Sequence, residues 1–275
     1  MYNIHYPNIP NMGDQLNKCM LEELFKINVR SVSLRKRNII AIGSGMSSLL
    51  YSSDKQKRFI QSLMYPFSPE IHVWGTGFIS YSEKDNDFVN KKVIIHALRG
   101  ELSKKRVEKI LKKRIDVPLG DGGLLVEKWI GNSEKKEYKV GIIPHFREKD
   151  YPLLNKIRDS YEDSIIIDLG DEPKKVVEQI SKCEVILSSS LHGLIVADSF
   201  HIPNKHIILY TGEKRILGDG FKFDDYYSAF GLNDESIKME KENWPSVEEI
   251  IESYRISPIE VEKKKAELIK AFPSL

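Results

Sequence analysis

The segment VILSSSLHGLIVADSF, residues 185–200, decides the fold. Its first residues, Val185 to Ser188, predict a buried strand, and His192 to Phe200 predict an apolar helix. Three consecutive serines, ending at Ser190, lead from the strand into the helix. A strand that runs straight into a helix is the repeating unit of a parallel α/β fold. The segment therefore predicts a βαβ protein with polar residues at the carboxyl end of a strand.

The same alternation of short apolar runs and amphipathic segments extends along the chain. Further strands are predicted at Asn38–Gly43, Ile71–Gly75, Lys92–Ala97, Lys139–Ile143, Ser164–Leu169 and His206–Leu209. Further helices are predicted at Gln15–Phe25, Glu101–Arg114, Tyr151–Asp159, Glu172–Cys183, Ser246–Tyr254 and Pro258–Ala271. Because continuous apolar runs are typical of strands buried on both faces, we predict an α/β fold with parallel sheets.

A polar stretch, Gly131 to Glu137 (GNSEKKE), separates two such series and predicts a linker. We place one Rossmann-like domain at residues 1–133, a second at 137–245, and C-terminal helices that pack on the domains at 246–275. Open parallel sheets bind ligands beyond the carboxyl ends of their strands. The two Rossmann-like domains should therefore face each other across a ligand cleft.

The composition argues against several classes of protein. The 275 residues contain 42 Lys and Arg against 40 Asp and Glu, and this balance does not predict nucleic-acid binding. Cys19 and Cys183 lie in unrelated contexts, so neither a disulfide framework nor a zinc site is expected. The start of the chain carries no apolar run, and no later stretch reaches about 18 apolar residues. We therefore expect no signal peptide, no membrane span and a cytoplasmic location.

His192 is the strongest candidate for a functional residue. It follows Ser188, Ser189 and Ser190 at a helix start, where free N–H groups and the helix dipole favour an anion. We predict that the serine hydroxyls and the helix start, including Gly193, form an anion pocket. A histidine at its mouth can donate or accept a proton near neutral pH. The alternative is an ordinary helix cap with an incidental histidine.

Arg99 and Asp14 each lie just before a predicted helix, and the role of each has two interpretations. The guanidinium of Arg99 either forks onto a phosphate or carboxylate, or forms a surface salt bridge with Glu101 or a nearby acid. Asn11, Gly13 and Asp14 form a turn before the first helix, and Asp14 is its N-cap, a carboxylate that orients a sugar hydroxyl, or both.

Other polar segments give weaker signals. His145 and Arg147 follow the first strand of the second series and either line the cleft or lie at its periphery. The glycine loops at 43–45, 75–77 and 120–123 do not complete G-x-G-x-x-G, so we assign them to tight turns and predict no dinucleotide cofactor. The basic run Lys104 to Arg114 is typical of a solvated helix face, with attraction to an anionic membrane as the alternative. Neither H-E-x-x-H nor C-x-x-C occurs, so no metal is predicted.

Short motifs occur in a defined order along the chain. They are Asn11–Asp14 (NMGD), Trp74–Phe78 (WGTGF), Leu98–Ser103 (LRGELS), Leu119–Leu125 (LGDGGLL), Val140–His145 (VGIIPH), Ser189–Asp198 (SSLHGLIVAD) and, after Ile202-Pro203, Lys222–Tyr227 (KFDDYY). This order resembles the polysaccharide pyruvyl transferase family. Gly122 stands where that family usually has proline, which loosens a turn and puts little of the chemistry in doubt.

The resemblance implies transfer of the pyruvyl group of phosphoenolpyruvate onto two sugar hydroxyls of a polysaccharide or its precursor, with formation of a ketal and release of phosphate. It implies a GT-B-like fold with the acceptor on the N-terminal domain, the donor on the C-terminal domain, and no cofactor besides the phosphoenolpyruvate co-substrate. The catalytic histidine of the family falls on His192, and its donor-binding arginine falls on Arg99. A family lysine falls on Lys214 or Lys222.

In this chemistry we nominate His192 as the general acid that protonates the enol carbon. The base stays open among Asp14, Asp121 and His145. The partners would be phosphoenolpyruvate and a glycan or lipid-linked sugar, with peripheral membrane association left open and no nucleic acid. The alternatives are a nucleotide-sugar glycosyltransferase of GT-B type and a non-catalytic module that binds glycans or anions.

Overall fold

The computed structural model describes residues 2–5, 12–81, 87–90, 92–132, 135–209, 219–239 and 244–274. The helices are α1 (Met12–Cys19), α2 (Lys55–Met64), α3 (Glu101–Leu111), α4 (Val126–Ile130), α5 (Leu154–Asp159), α6 (Pro173–Ser181), α7 (Leu191–Ser199), α8 (Phe221–Ser228), α9 (Val247–Ser253) and α10 (Pro258–Lys270). The strands are β1 (Tyr2–Ile4), β2 (Val29–Ser31), β3 (Ile39–Ile40), β4 (Ile71–Val73), β5 (Val93–Ile95), β6 (Tyr138–Ile143), β7 (Ser164–Ile166), β8 (Cys183–Ser188), β9 (Asn204–Ile208) and β10 (Ile237–Lys238).

Within the described residues, these strands form three parallel sheets. The largest has the order β10-β9-β8-β6-β7, and the second has the order β3-β4-β5. In the largest sheet β6 pairs with β8 from Tyr138 opposite Cys183 to Ile143 opposite Ser188. A third sheet pairs β1 with β2. Parallel strands with helices between them confirm the α/β class.

Several predicted boundaries were wrong by a few residues, for local reasons. Helix α3 ends at Leu111 because Lys112 adopts a left-handed conformation, with φ of 52°. Helix α6 begins at Pro173 because Glu172 is its N-cap, and the Glu172 carboxylate accepts two backbone N–H groups. The helix ends before Cys183, where β8 begins. The first helix begins at Met12, three residues earlier than predicted. Helices α2, α4 and α8 and strands β1, β2 and β10 were not predicted from the sequence.

One apolar core joins residues from both halves of the chain. Met12, Trp74 and Leu124 from the first half share it with Ile143 and Ile195 from the second. Helix α10 also packs on the first half, where the indole N–H of Trp74 donates to the carbonyl of Leu268 at 2.9 Å. The division at residues 133–137 stays a prediction. No helix of the described residues is both long and apolar enough to cross a membrane.

Helix α10 carries a buried lysine that fixes its position. Lys265 is fully buried, and its ammonium donates to Ser199 O at 2.7 Å, to Glu262 Oε1 at 2.6 Å and to Glu127 Oε2 at 3.2 Å. These acceptors come from α4, α7 and α10 itself. A buried ammonium is tolerated only when all of its donors are paired, so this contact specifies one packing of α10.

Replacing Lys265 by Met should lower the free energy of unfolding by about 1–3 kcal/mol, because Ser199 O loses its buried partner. The matched control is Lys263→Met on the same helix, where the lysine is 74% exposed and pairs with Glu267. That change should stay within about 0.5 kcal/mol. Urea unfolding measures both variants, and equal effects would contradict the role assigned to Lys265.

Candidate active site

His192 lies at the start of α7, where the predicted strand-to-helix turn is found. Ser190 is the N-cap residue of α7, so His192 occupies the second helical position. Its Nε2 atom is buried and has no hydrogen-bond partner among the described residues. A buried ring nitrogen without a partner is unusual and requires an explanation, such as a missing ligand.

Two glycines from the first half of the chain make room for this imidazole. A Cβ atom on Gly13, in α1, would overlap the ring of His192. A Cβ atom on Gly43 would lie 3.2 Å from its Nε2, and Gly43 has φ of +92°, which only glycine adopts readily. Gly43 lies in an isolated parallel β-bridge with Thr76, just before a 3₁₀ helix that begins at Gly45, and it forms a wall of the histidine site.

The charges around His192 are positive. Burial, followed by the charges of Lys222, Arg99 and His145, lowers the pKa of His192 to about 3. Burial and the charge of Arg99 lower the pKa of Lys222 to about 8, against a raising effect of Glu148. His192 is therefore neutral at pH 7, and the pocket disfavours a further positive charge but favours an anion.

Arg99 is fully buried, and its guanidinium is bonded within the protein. Its Nε and Nη2 lie 2.9 Å from the same carboxylate oxygen of Asp225. Nη1 donates to Ser44 Oγ at 2.8 Å and to Gly43 O at 3.2 Å, and Nη2 donates to Phe78 O at 2.5 Å. The alternative of a surface salt bridge with Glu101 was wrong, because the partner is Asp225 in the interior. Arg99 contributes charge to the pocket while its donors hold the surrounding loops.

Asp225 also fixes the start of α3. Its Oδ1 accepts the backbone N–H of Ser103 at 2.6 Å, and its Oδ2 accepts the Ser103 hydroxyl at 2.6 Å. Gly77 is required beside this cluster, because a Cβ there would lie 2.5 Å from Asp225 Oδ2 and 2.7 Å from Arg99 Nη2. Asp225 was not predicted as a site residue, although the KFDDYY motif contains it.

The serine hydroxyls predicted to line the anion pocket form internal hydrogen bonds. Ser189 Oγ accepts the backbone N–H of His145 at 2.8 Å and donates to Glu148 Oε2 at 2.5 Å. Ser188 Oγ accepts the N–H of Ser190 at 3.0 Å, and the Ser190 side chain makes no capping bond. These contacts engage the hydroxyls of Ser188 and Ser189 within the protein, so the first N–H groups of α7, which have no partner inside a helix, are the remaining candidates to bind an anion.

Gly193 has a packing role. A Cβ atom there would overlap Ser188 Oγ and lie 3.1 Å from the side chain of Ile143. Helix α7 can therefore approach β6 and β8 closely at this point. Close approach brings the helix start, and with it His192, to the carboxyl ends of these strands.

Glu148 and His145 form the second wall of the turn. Glu148 is buried, and burial raises the pKa of its carboxyl group. It was not predicted as a site residue, because the sequence places it in a charged loop. Burial, with Lys222 and Arg147 nearby, lowers the pKa of His145 to about 3. Arg147 itself is exposed and lies 5.5 Å from the ring centroid of Phe146, at the periphery.

Asp121 lies near the charge of Arg99 and binds the backbone of Gly43. Its Oδ2 accepts the N–H of Gly43 at 3.3 Å, and its Oδ1 accepts that of Gly123 at 2.9 Å. Burial raises the pKa of Asp121 to about 6, against the lowering effects of the Gly123 bond and the charge of Arg99. The carboxylate thus orients the backbone at Gly43, which faces His192, and the backbone at Gly123, which packs against Ile195.

The remaining predicted residues have different outcomes. Asn11, Lys214 and the side chain of Asp14 lie outside the described residues. Asp14 was predicted as an N-cap, and this was wrong, because α1 begins at Met12 and Asp14 is inside the helix. The N–H of Met12 instead donates to Leu169 O at 2.8 Å. Of the two lysine candidates, Lys222 lies within the described residues, its ammonium lies 5.0 Å from the ring centroid of Phe223, and its charge lowers the pKa of His192 and of His145.

This geometry defines a class of protein: an α/β protein with a neutral, unpartnered histidine in a positively charged pocket at a helix start. The chain belongs to the polysaccharide pyruvyl transferase family, whose model matches residues 11–207. It is 29% identical over 232 residues to an uncharacterized protein of Acanthamoeba polyphaga mimivirus, covering 83% of this chain and 74% of that protein. It is also 29% identical over 103 residues to the succinoglycan biosynthesis protein ExoV of Rhizobium meliloti (strain 1021), covering 36% of this chain and 29% of that protein.

Replacing Asp225 by Asn should lower the free energy of unfolding by about 3–5 kcal/mol, because the charge of Arg99 stays buried without a counter-charge. The adjacent Asp224→Asn is the control, since Asp224 is half-buried and accepts a hydrogen bond from Tyr81. That change should cost about 1 kcal/mol. Denaturant unfolding tests the pair, and a smaller effect at 225 than at 224 would contradict the assigned role.

Proposed function

We propose that this protein transfers the pyruvyl group of phosphoenolpyruvate onto two hydroxyls of a sugar, forming a cyclic ketal. The observation that carries the proposal is the unpartnered Nε2 of His192 beside the ammonium of Lys222, in a chain of the pyruvyl transferase family. Phosphoenolpyruvate is a small anion with a phosphate and a carboxylate. Such a ligand would compensate the positive charges that the free protein concentrates there.

We further propose a GT-B-like arrangement in which the N-terminal half holds the acceptor and the C-terminal half the donor. The support is that His192 comes from the second half and lies against Gly13 and Gly43 of the first. The candidate donor contacts, Lys222 and the start of α7, also lie in the second half. A sugar that approaches His192 would then meet the loops of the first half.

The reaction is balanced without an added oxidant or cofactor. A proton adds to the methylene carbon of the enol, and one sugar hydroxyl bonds to the adjacent carbon. The carbon–oxygen bond to phosphate breaks, phosphate leaves with the electron pair, and the second hydroxyl closes the ketal. The two hydroxyl protons released equal the one consumed at carbon and the one carried away on phosphate.

His192 is neutral in the free protein, so it must gain a proton before it can act as the general acid. The negative charges of the donor would reverse the effect of Lys222 and Arg99 and raise the pKa of His192 again. His192 would therefore be protonated only when phosphoenolpyruvate is bound. As the base we propose His145, which is neutral and lies beside the same lysine. Asp121 is less suitable, because both of its oxygens already accept backbone N–H groups.

Replacing His192 by Asn should lower the rate of phosphate release from phosphoenolpyruvate, in the presence of hexose oligosaccharides, by about 10²-fold to 10⁴-fold. Thermal stability should change little, because the Nε2 makes no hydrogen bond to a described residue. The control is His201→Asn, at a residue with φ of 56°, a conformation that Asn tolerates. A loss of less than about threefold at 192 would reject the acid role, since general acid catalysis is worth far more.

The donor itself is tested by thermal unfolding. Phosphoenolpyruvate at 100 times its dissociation constant should stabilise the protein by about 2.7 kcal/mol, whereas UDP-sugars should not. Stabilisation by UDP-sugars alone would contradict the proposal in favour of a glycosyltransferase. Stabilisation by oligosaccharides alone would favour a binding module.

The affinity for phosphoenolpyruvate should fall as the pH rises through about 8, because Lys222 loses its charge above that pKa. The phosphate, with a second pKa of about 6, is fully ionised in this range and does not contribute. The dissociation constant measured by calorimetry should increase by up to about tenfold per pH unit above 8. Lys222→Arg should remove this dependence, because arginine stays charged. A pH-independent affinity in the parent protein would exclude Lys222 as a donor contact.

A further inference from the structure

Helix α2 turns its apolar side chains to solvent. It covers Lys55–Met64, and none of its residues is buried. Phe59 is 65% exposed and Leu63 59% exposed, and Ile60 and Met64 are also exposed. The next turn adds Phe67, which is 92% exposed. Exposed apolar side chains that adjoin one another in this way mark an interaction surface, whereas single ones do not.

The polar side of α2 is the side that contacts the protein. Gln61 Oε1 accepts the backbone N–H of Ser52 at 2.8 Å. The guanidinium of Arg58 lies 5.2 Å from the ring centroid of Tyr51. At about 100° per residue, Arg58 and Gln61 project from the side opposite the apolar residues. The helix is thus inverted relative to an ordinary surface helix, which buries its apolar face.

The charges of α2 frame this apolar face. The helix contains Lys55, Lys57 and Arg58 and no Asp or Glu. On the helical wheel, Lys55 lies about 40° from Phe59 and Lys57 about 20° from Met64, one at each edge of the apolar arc. An apolar arc between lysines is typical of a helix that lies in the interface of a bilayer with anionic lipids.

We propose that the docking face of α2, formed by Phe59, Ile60, Leu63, Met64 and Phe67, binds peripherally to an anionic phospholipid surface. A second copy of the chain fits less well, because a two-fold interface would bring the basic residues of both helices together, and α2 has no Asp or Glu to pair with them. A face of one short helix is also small beside the roughly 800 Å² per partner of a stable interface. The proposal does not rest on the proposed function, since it concerns residues outside the His192 pocket.

Flotation of the whole protein with vesicles tests the docking face. The protein should float with vesicles of phosphatidylcholine and phosphatidylglycerol at low salt, and less with phosphatidylcholine alone or at high salt. Phe59→Gln with Leu63→Gln should lower the partition coefficient about tenfold or more, because two large apolar side chains no longer enter the bilayer. The matched control, Ile251→Gln with Ile259→Gln, changes exposed apolar residues of α9 and α10 and should bind as the parent does.

A charge variant separates this face from general basicity. Lys55→Glu with Lys57→Glu should reduce binding to the anionic vesicles, whereas Lys105→Glu with Lys113→Glu, on and just beyond α3, should not. Failure of the parent protein to float, or unchanged flotation of the Phe59/Leu63 variant, would overturn the proposal. A dimer in sedimentation that this variant abolishes, without vesicle binding, would show instead that the face joins two copies. None of these outcomes depends on pyruvyl transfer.

Discussion

The buried ion pair between Arg99 and Asp225 is the contact on which the site depends. It joins helix α8 to the loop that follows β5, at the carboxyl end of the β3-β4-β5 sheet. There Arg99 also donates hydrogen bonds to the carbonyls of Gly43 and Phe78. Lys222 lies three residues before Asp225, so the two side chains share one face of α8. Docking of Asp225 therefore brings the charge of Lys222 near enough to His192 to lower the pKa of its imidazole. Because Gly43 is held by the same guanidinium, one interaction positions both the cation and a wall of the histidine pocket.

The charges in the pocket are unfavourable in the free protein, which indicates that the pocket binds an anion. Burial and two cations keep His192 neutral, and Arg99 also lowers the pKa of Lys222. Proteins rarely leave a buried ring nitrogen without a hydrogen-bond partner. An anionic ligand removes both penalties together, because it pairs with the ammonium and allows the imidazole to charge. The arrangement is thus suited to a reaction in which the acid must acquire its proton only with the donor in place.

Local sequence predicted the elements that local forces decide. The segment Val185 to Phe200 predicted the strand, the turn and the helix that present His192, because a continuous apolar run interrupted by three serines is a local signal. The partner of Arg99 was not predictable in this way, since Asp225 lies 126 residues further along. The role of Gly13 was not predictable either. Position 13 requires glycine because a Cβ atom there would overlap the ring of His192, which is far away in sequence. Helix α2 was not predicted, although its apolar residues recur at helical spacing; that they face solvent was visible only in the structure.

The inverted helix α2 and the histidine pocket belong to one continuous segment. From Gly43, beside His192, the chain passes through the 3₁₀ turn Gly45–Leu49 and enters α2 at Lys55. A glycan carried on a membrane lipid is confined to the bilayer surface, so an enzyme that docks there meets it at a raised effective concentration. Peripheral docking through a short helix, as proposed for α2, would be weak and reversible and would allow the protein to leave one acceptor and find another. The membrane face would then select where the reaction occurs, while the charges around His192 select the donor.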